Sequence, residues 1–184
     1  MTPWSFSDTE RPQITIASEG PGRAPSVEAV MLVGLVYVAF LLLSVAGEEL
    51  RSVPLQLVAN ATGLVLAILL YRLFAPADPN IALALVPLAL IHYVIQAFGQ
   101  VRADAGMRRL ALLPFAVYLM VLGYLIVQST FAPVALGVLV GLAGVGWLIA
   151  VVPGAPTWAT LAVVTFGIIA EAALAMWLLI APSS

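Results

Sequence analysis

Cysteine is missing from the 184-residue sequence, and histidine occurs once, as His92. The lack of cysteine excludes disulfides, thiolate metal sites, cysteine nucleophiles and palmitoylation. A single histidine also excludes bis-histidine haem and zinc sites that need several histidines. We therefore predict no metal and no cofactor.

Charge is scarce as well. Charged residues make up 9% of the chain, whereas soluble domains contain about 25%. The net charge is −2 and all seven basic residues are arginine, with no cluster that suits nucleic acid. The sequence also lacks a Walker glycine loop, a GxSxG elbow and an HExxH pair. The residues therefore favour neither an enzyme nor a nucleic-acid partner.

Hydrophobic residues make up 63% of the chain, and the mean hydropathy is +1.12. A soluble fold of this size cannot bury so much apolar surface, so the bilayer must solvate most of it. We predict an all-α membrane protein, an antiparallel bundle of six transmembrane helices with short loops. Residues 1–26 are read as a polar tail, flexible or docked on a partner, ahead of a bundle spanning 27–181. The predicted helices are 27–46, 54–74, 81–98, 109–127, 132–152 and 157–181.

Two breaker residues and the arginines refine this prediction. Gly47 is expected to end the first helix, and Pro87 is expected to bend the third. Slightly more arginines lie near the loops opposite the termini, which nominally places both termini outside by the positive-inside rule. The difference is one or two arginines, so the orientation stays open.

Glu171 is the one ionisable group in the last apolar run, between Trp158 and Trp177. A charge at the bilayer centre costs at least about 2.5 kcal/mol, so this carboxyl should be protonated, paired or turned to a cavity. At 1.5 Å per residue it lies about 15 Å below the side of the termini. The same count places further polar residues near this depth: His92, Tyr37 and Tyr118, with Gln96 one turn from His92.

Three interpretations of this midplane polar cluster remain open. The residues form a hydrogen-bonded clasp that sets the register of the bundle, with Glu171 neutral. Alternatively, they form a small-molecule or proton-relay site. In the third interpretation they face different directions and are unrelated.

Small residues recur at four-residue spacing in two helices, a pattern that lets backbones approach closely in lipid. We assign them to helix packing, either within the bundle or at a homodimer seam: Gly137, Gly141 and Gly144 in the fifth helix, and Ala59, Gly63 and Ala67 in the second. Gln56 and Asn60 share one face of the second helix. They are expected to hydrogen-bond to another helix or to line a polar cavity.

Three stretches carry a family resemblance. They are LLYRLF at 69–74, LGYLIVQSTFAPVALGVLVGLAGVGWLI at 122–149 and EAALAMWLLI at 171–180. Over 31–180 the chain resembles a bacterial integral-membrane family, domain of unknown function family 4386. The resemblance implies a six-helix inner-membrane protein without assigned activity, with Glu171 part of the family pattern. Relatives often carry basic residues in the turn between helices four and five. Here residues 128–130 are uncharged, which leaves the orientation undetermined.

Two functions follow as expectations for a multi-pass protein of the bacterial inner membrane. The first is a non-enzymatic accessory, scaffolding or self-associating subunit, whose partners are lipids, other membrane-protein subunits or itself. The alternative is a binder or carrier of a small hydrophobic or protonatable molecule at the midplane site around Glu171.

Overall fold

The computed structural model describes residues 25–152 and 154–180, and this part of the chain is helical throughout apart from short turns. The predicted tail therefore lies almost entirely outside the described residues. The helices are α1 (Val27–Glu49), α2 (Val53–Phe74), α3 (Pro79–Leu83), α4 (Leu85–Val101), α5 (Ala105–Gln128), α6 (Val134–Val151) and α7 (Thr157–Ile180). With α3 and α4 counted as one span, six helices are long and apolar enough to cross a membrane. The predicted six-helix fold is confirmed, and the protein is a multi-pass membrane protein.

Short polar side chains set where several helices begin. The hydroxyl of Ser26 accepts a hydrogen bond from a backbone N–H in the first turn of α1. The carboxylates of Asp78 and Asp104 each accept two such bonds, at the starts of α3 and α5. These caps satisfy N–H groups that have no partner inside the helix. Turns of a few residues therefore suffice to reverse the chain.

The helices differ from the predicted bounds mainly at their polar ends. The prediction that Gly47 ends α1 is wrong, since the helix continues to Glu49. Gly47 instead packs on α2, where an added methyl group would lie 2.9 Å from Gln56 Cγ. Likewise α4 continues to Val101, and α5 begins at Ala105. The Asp104 side-chain cap accounts for the early start of α5. In contrast, α6 begins later, at Val134, because Pro133 occupies the N-cap position.

The third span is broken rather than bent. Helix α3 ends at Leu83 and α4 starts at Leu85, with Ala84 between them. Pro87 lacks an N–H, and its ring crowds the carbonyl four residues earlier, which belongs to Leu83. The proline thus acts one turn before its own position.

The six spans form a closed ring. Each spanning helix packs on its neighbours along the chain, and α7 closes the ring by packing on α1. We call the end of the bundle that holds Val27 and Ile180 the terminal face. The opposite end is the arginine face, because its loops and helix ends carry Arg51, Arg102, Arg108 and Arg109. This ring places the inward sides of α1, α4, α5 and α7 around a common interior.

The core is unevenly distributed along the membrane normal. Among the described residues, the largest fully buried side chains all lie within ten residues of the terminal-face ends of their helices. They include Tyr37, Phe74, Leu122 and Leu174. Toward the arginine face the buried residues are small or polar, such as Ala111 and Gln100. Large apolar side chains therefore form the core of the terminal half, and small or polar side chains form the core of the half near the arginine face.

The predicted small residues lie at helix contacts inside the ring. A methyl group added at Gly123 of α5 would lie 2.6 Å from backbone atoms of both Gly137 and Gly141. One added at Gly144 would lie 2.7 Å from the Ala116 carbonyl oxygen. In α2, Gly63 supports the Tyr93 side chain, while Ala59 and Ala67 are buried. Gly137, Gly141 and Gly144 of α6 thus contact α5 of the same chain, whereas Gly146 faces Val163 of α7.

Candidate functional site

Glu171 lies on the inward side of α7, nine residues before Ile180 and so about 13 Å below the terminal face. Its side chain is buried, with 7% of its surface exposed. In the described part of the chain every arginine lies at a helix end or in a turn. No arginine of this described part is therefore at the depth of the carboxyl.

Three tyrosines lie on the helices around the carboxyl. Tyr37 of α1, Tyr93 of α4 and Tyr118 of α5 all lie within electrostatic range of Glu171. Tyr37 and Tyr118 are buried, and Tyr93 is held by contact of its hydroxyl with Gly63. The interior at this depth therefore contains one carboxyl and three phenol groups from four different helices. We define the Glu171 site as Glu171, Tyr37, Tyr93 and Tyr118.

Tyr93 was not among the residues predicted from the sequence. It follows His92 directly, so it points about 100° away from it around the helix axis. Depth in the membrane makes both His92 and Tyr93 candidates for the site. Two adjacent residues of a helix point in different directions, and the prediction chose His92 as the one that faces the interior. Gly63 in α2 was the available signal, because a glycine leaves room for a large side chain from a neighbouring helix.

His92 fastens α4 to α5. Its Nδ1 lies 2.7 Å from the carbonyl oxygen of Ala111, and since a carbonyl only accepts, Nδ1 carries a proton and donates. The imidazole also stacks on Phe115, with ring centroids 4.8 Å apart, and meets Tyr93 edge-on at 4.6 Å. Among the described residues, a hydrogen bond between His92 and Glu171 is not observed. His92 bonds instead to the backbone of α5, and the clasp of Glu171 with His92 and the tyrosines stays a prediction.

Gln96 extends this polar wall toward the arginine face. His92 bonds to α5, and Gln100 bonds to α2. Gln96 lies about 40° from each around the α4 axis, so it faces the interior between the two neighbouring helices. Its Oε1 is buried and has no hydrogen-bond partner among the described residues. An acceptor is therefore left unsatisfied inside the ring.

Trp147 of α6 supplies an unsatisfied donor. Its indole packs edge-on against Phe115 at 5.7 Å. Its Nε1 lies over Gly167, where an added methyl group would be 2.7 Å away. Gly167 and Glu171 are one turn apart on the same side of α7. In the described part of the chain, this buried N–H has no acceptor.

A second polar cluster joins the helices near the arginine face. Asn60 Nδ2 donates to Gln100 Oε1 at 2.8 Å, and Gln56 Nε2 donates to the Gly47 carbonyl at 3.2 Å. The predicted hydrogen bonds from Gln56 and Asn60 to other helices are thus present. Gln100 was not predicted as a partner, because depth counts do not reveal which helices are adjacent.

One protein family matches part of the chain. The profile described as Domain of unknown function (DUF4386) matches residues 104–181, which contain α5, α6 and α7. The resemblance inferred from the sequence is confirmed over this segment, which includes Glu171 and two of the three stretches that suggested it. The chain matches no curated protein and no solved structure.

Proposed function

We propose that this protein binds a small, partly apolar, protonatable molecule in the interior of the ring, at the Glu171 site. One observation carries the proposal: a buried carboxyl that has no basic side-chain partner among the described residues, with tyrosines of three other helices within its electrostatic range. An isolated carboxylate is costly in an apolar interior, so it needs a proton or a cationic ligand. Such intramembrane groups usually mark ligand or proton sites.

The neighbouring side chains suit a ligand of mixed polarity. Phe115 and the tyrosines offer apolar and aromatic surface. The carboxyl, the Gln96 Oε1 and the Trp147 Nε1 offer polar groups that orient a ligand. Small-molecule sites combine these two features, a mainly apolar lining with a few placed polar atoms.

The packing within the chain gives less support to the accessory, scaffolding or self-associating role. Gly137, Gly141 and Gly144 contact α5 of the same chain, and a homodimer seam would need them on the outside of the bundle. The exposed large apolar side chains around the ring, such as Leu35, Leu42 and Leu161, suit lipid chains as neighbours. From the family resemblance, we propose the bacterial inner membrane as the location.

Native mass spectrometry of the gently extracted protein tests this function. We expect the wild-type protein to retain a non-lipid small molecule that Glu171→Gln loses, because the amide keeps the shape of the carboxyl but cannot carry its charge. Glu28→Gln makes the same chemical change at an exposed position and should keep the molecule. An adduct that is equally abundant in all three proteins, or missing from the wild type, contradicts the proposal.

A further inference from the structure

We infer that the Glu171 site is the closed end of a pocket that opens toward the arginine face between α1 and α7, and that its ligand is a protonated amine with an apolar body. The inference rests on the proposed function and adds the ligand class and the route of entry.

The terminal face of the ring is closed. Gly34 of α1 lies against the backbone of α7. A methyl group added at Gly34 would be 3.0 Å from backbone atoms of Leu178 and Leu179. Above the interior, Phe131 stacks on Phe74 at 5.4 Å and contacts Trp177 at 6.0 Å. Together with the fully buried leucines of this half, these contacts leave no passage to the terminal face for a ligand.

The same two helices pack less tightly toward the arginine face. No residue is buried in the range 38–46 of α1, nor in 157–166 of α7. A ring helix packed against its neighbours should bury one residue per turn on its inward side. Val164 lies on the same side of α7 as Glu171, since seven residues correspond to about two turns, and it is only partly buried. The inward sides of α1 and α7 are thus packed less tightly over roughly two turns than in the terminal half, although Phe40, Leu41 and Phe166 still contact the core.

The hydrogen-bonding groups inside the pocket favour a donor ligand. Glu171 offers two acceptor oxygens, and Gln96 Oε1 is an acceptor without a partner among the described residues. A protonated amine supplies several N–H donors and the positive charge that a carboxylate needs. The tyrosine rings and Phe115 add aromatic faces, which attract cations. A carboxylate ligand would instead meet the Glu171 charge.

The charges at the arginine face indicate how an amine reaches the opening. The end of α1 and the turn after it, beside the proposed mouth, carry Glu48, Glu49 and Arg51, so the mouth carries both signs. The outer sides of α1 and α7 here are apolar, including Leu42, Val45 and Leu161. An amphiphilic amine partitions into the lipid interface with its apolar body in the chains. Entry from the adjacent leaflet between α1 and α7 avoids the arginines.

The ligand class is tested with three probes of one skeleton: 2-phenylethylamine, 2-phenylethanol and 3-phenylpropionate. Binding is measured by calorimetry to the full chain in phosphatidylcholine nanodiscs, with empty nanodiscs as the blank. We expect the protonated amine to bind about tenfold more tightly than the alcohol, the effect of one charge-assisted hydrogen bond. Glu171→Gln should remove this preference, and Glu28→Gln should keep it.

The route of entry is tested with cysteine variants, because the chain contains no cysteine of its own. Val164→Cys and Leu174→Cys both lie on α7, in the open and the closed half. A trimethylammonium-bearing methanethiosulfonate reagent should modify Val164→Cys at least about tenfold faster than Leu174→Cys, because close packing excludes water and reagent from the closed half. The amine probe should slow the modification of Val164→Cys.

The outcomes separate this inference from the proposed function. Equal or tighter binding of 2-phenylethanol overturns the amine, while it supports a site for small, partly apolar molecules. Equal modification of the two cysteines overturns the one-sided pocket. If none of the probes binds, the amine is rejected, and the co-purified molecule detected by mass spectrometry then decides the proposed function by itself.

Discussion

Glu171 shows how one side chain constrains the interior of a membrane protein. It is buried on a helix that otherwise consists of apolar and small residues, and tyrosines of α1, α4 and α5 lie within its electrostatic range. Helix α6 contributes no titratable side chain. The carboxyl therefore lowers the free energy of unfolding unless a proton or a ligand neutralises it, and this loss of stability can be measured.

Replacing this carboxyl by an apolar side chain should stabilise the empty protein. We expect Glu171→Leu to raise the free energy of unfolding by about 1 kcal/mol or more, because the cost of burying a polar group without a basic partner disappears. The measurement is thermal unfolding in detergent without added ligand, compared with Glu28→Leu as the exposed control. A lower unfolding temperature for Glu171→Leu than for wild type would mean that the carboxyl forms stabilising hydrogen bonds inside the ring.

The other polar side chains of the interior are of two kinds, those whose hydrogen bonds join helices and those with an unpaired polar atom. His92 uses Nδ1 on the Ala111 carbonyl, and Asn60 is paired with Gln100. Gln96 Oε1 and Trp147 Nε1 are unpaired among the described residues. The paired groups fix which helices are adjacent, and the unpaired groups remain available to a ligand or to water.

At the scale of helices, the closest contact is between α5 and α6. Gly123 meets the backbone at Gly137 and Gly141, so these two helices approach without side chains between them. Backbone cannot move aside as the end of a flexible side chain can. This contact fixes the rotation of α5, and with it the direction in which Tyr118 points.

A pair of alanine substitutions tests this contact. Gly123→Ala should lower stability by about 1–3 kcal/mol, because its methyl group would overlap backbone atoms of α6 at 2.6 Å. Gly141→Ala is the matched control: its nearest neighbour would be Gly123 Cα at 4.0 Å, and alanine has the higher helix propensity. The control should be neutral or slightly stabilising. Thermal unfolding of both variants gives the comparison, and equal losses would refute the predicted difference between the two glycines.

At the scale of the whole molecule, the ring is tightly packed in one half and less tightly packed in the other. Large side chains such as Leu70, Leu125 and Leu178 are fully buried toward the terminal face, whereas α1 and α7 lack buried residues over 38–46 and 157–166. Small and polar residues fill the other half. This difference in packing lets the two ends of the bundle differ in rigidity and in how easily small molecules reach the interior.

Spin labels at the ends of α1 and α7 can detect this difference. Cysteines at Val27 and Ile180 mark the terminal face, and cysteines at Glu49 and Thr157 mark the arginine face, with no native cysteine to interfere. Electron–electron distance measurements in nanodiscs should give a shorter and narrower distribution for the terminal-face pair. Two distributions of equal mean and width would show that α1 and α7 run side by side along their whole length.

The sequence by itself determined that the chain crosses the membrane six times and that Glu171 lies near mid-depth. Both properties depend on local composition: an apolar run of sufficient length forms a spanning helix, and position within the run sets the depth. The break before Pro87 has a local cause as well, since the affected carbonyl is always four residues earlier. These features need no knowledge of which helices are neighbours.

Tertiary structure alone decided which residues meet at that depth. Counting along a helix gives height in the membrane but leaves its rotation and its neighbours undetermined. Close contacts at Gly34, Gly63 and Gly123 set these rotations, and they place Tyr93 by the carboxyl while His92 bonds to α5. The looser packing of α1 and α7 toward the arginine face is likewise a property of how the helices pack, because the residues there are as apolar as those of the terminal half.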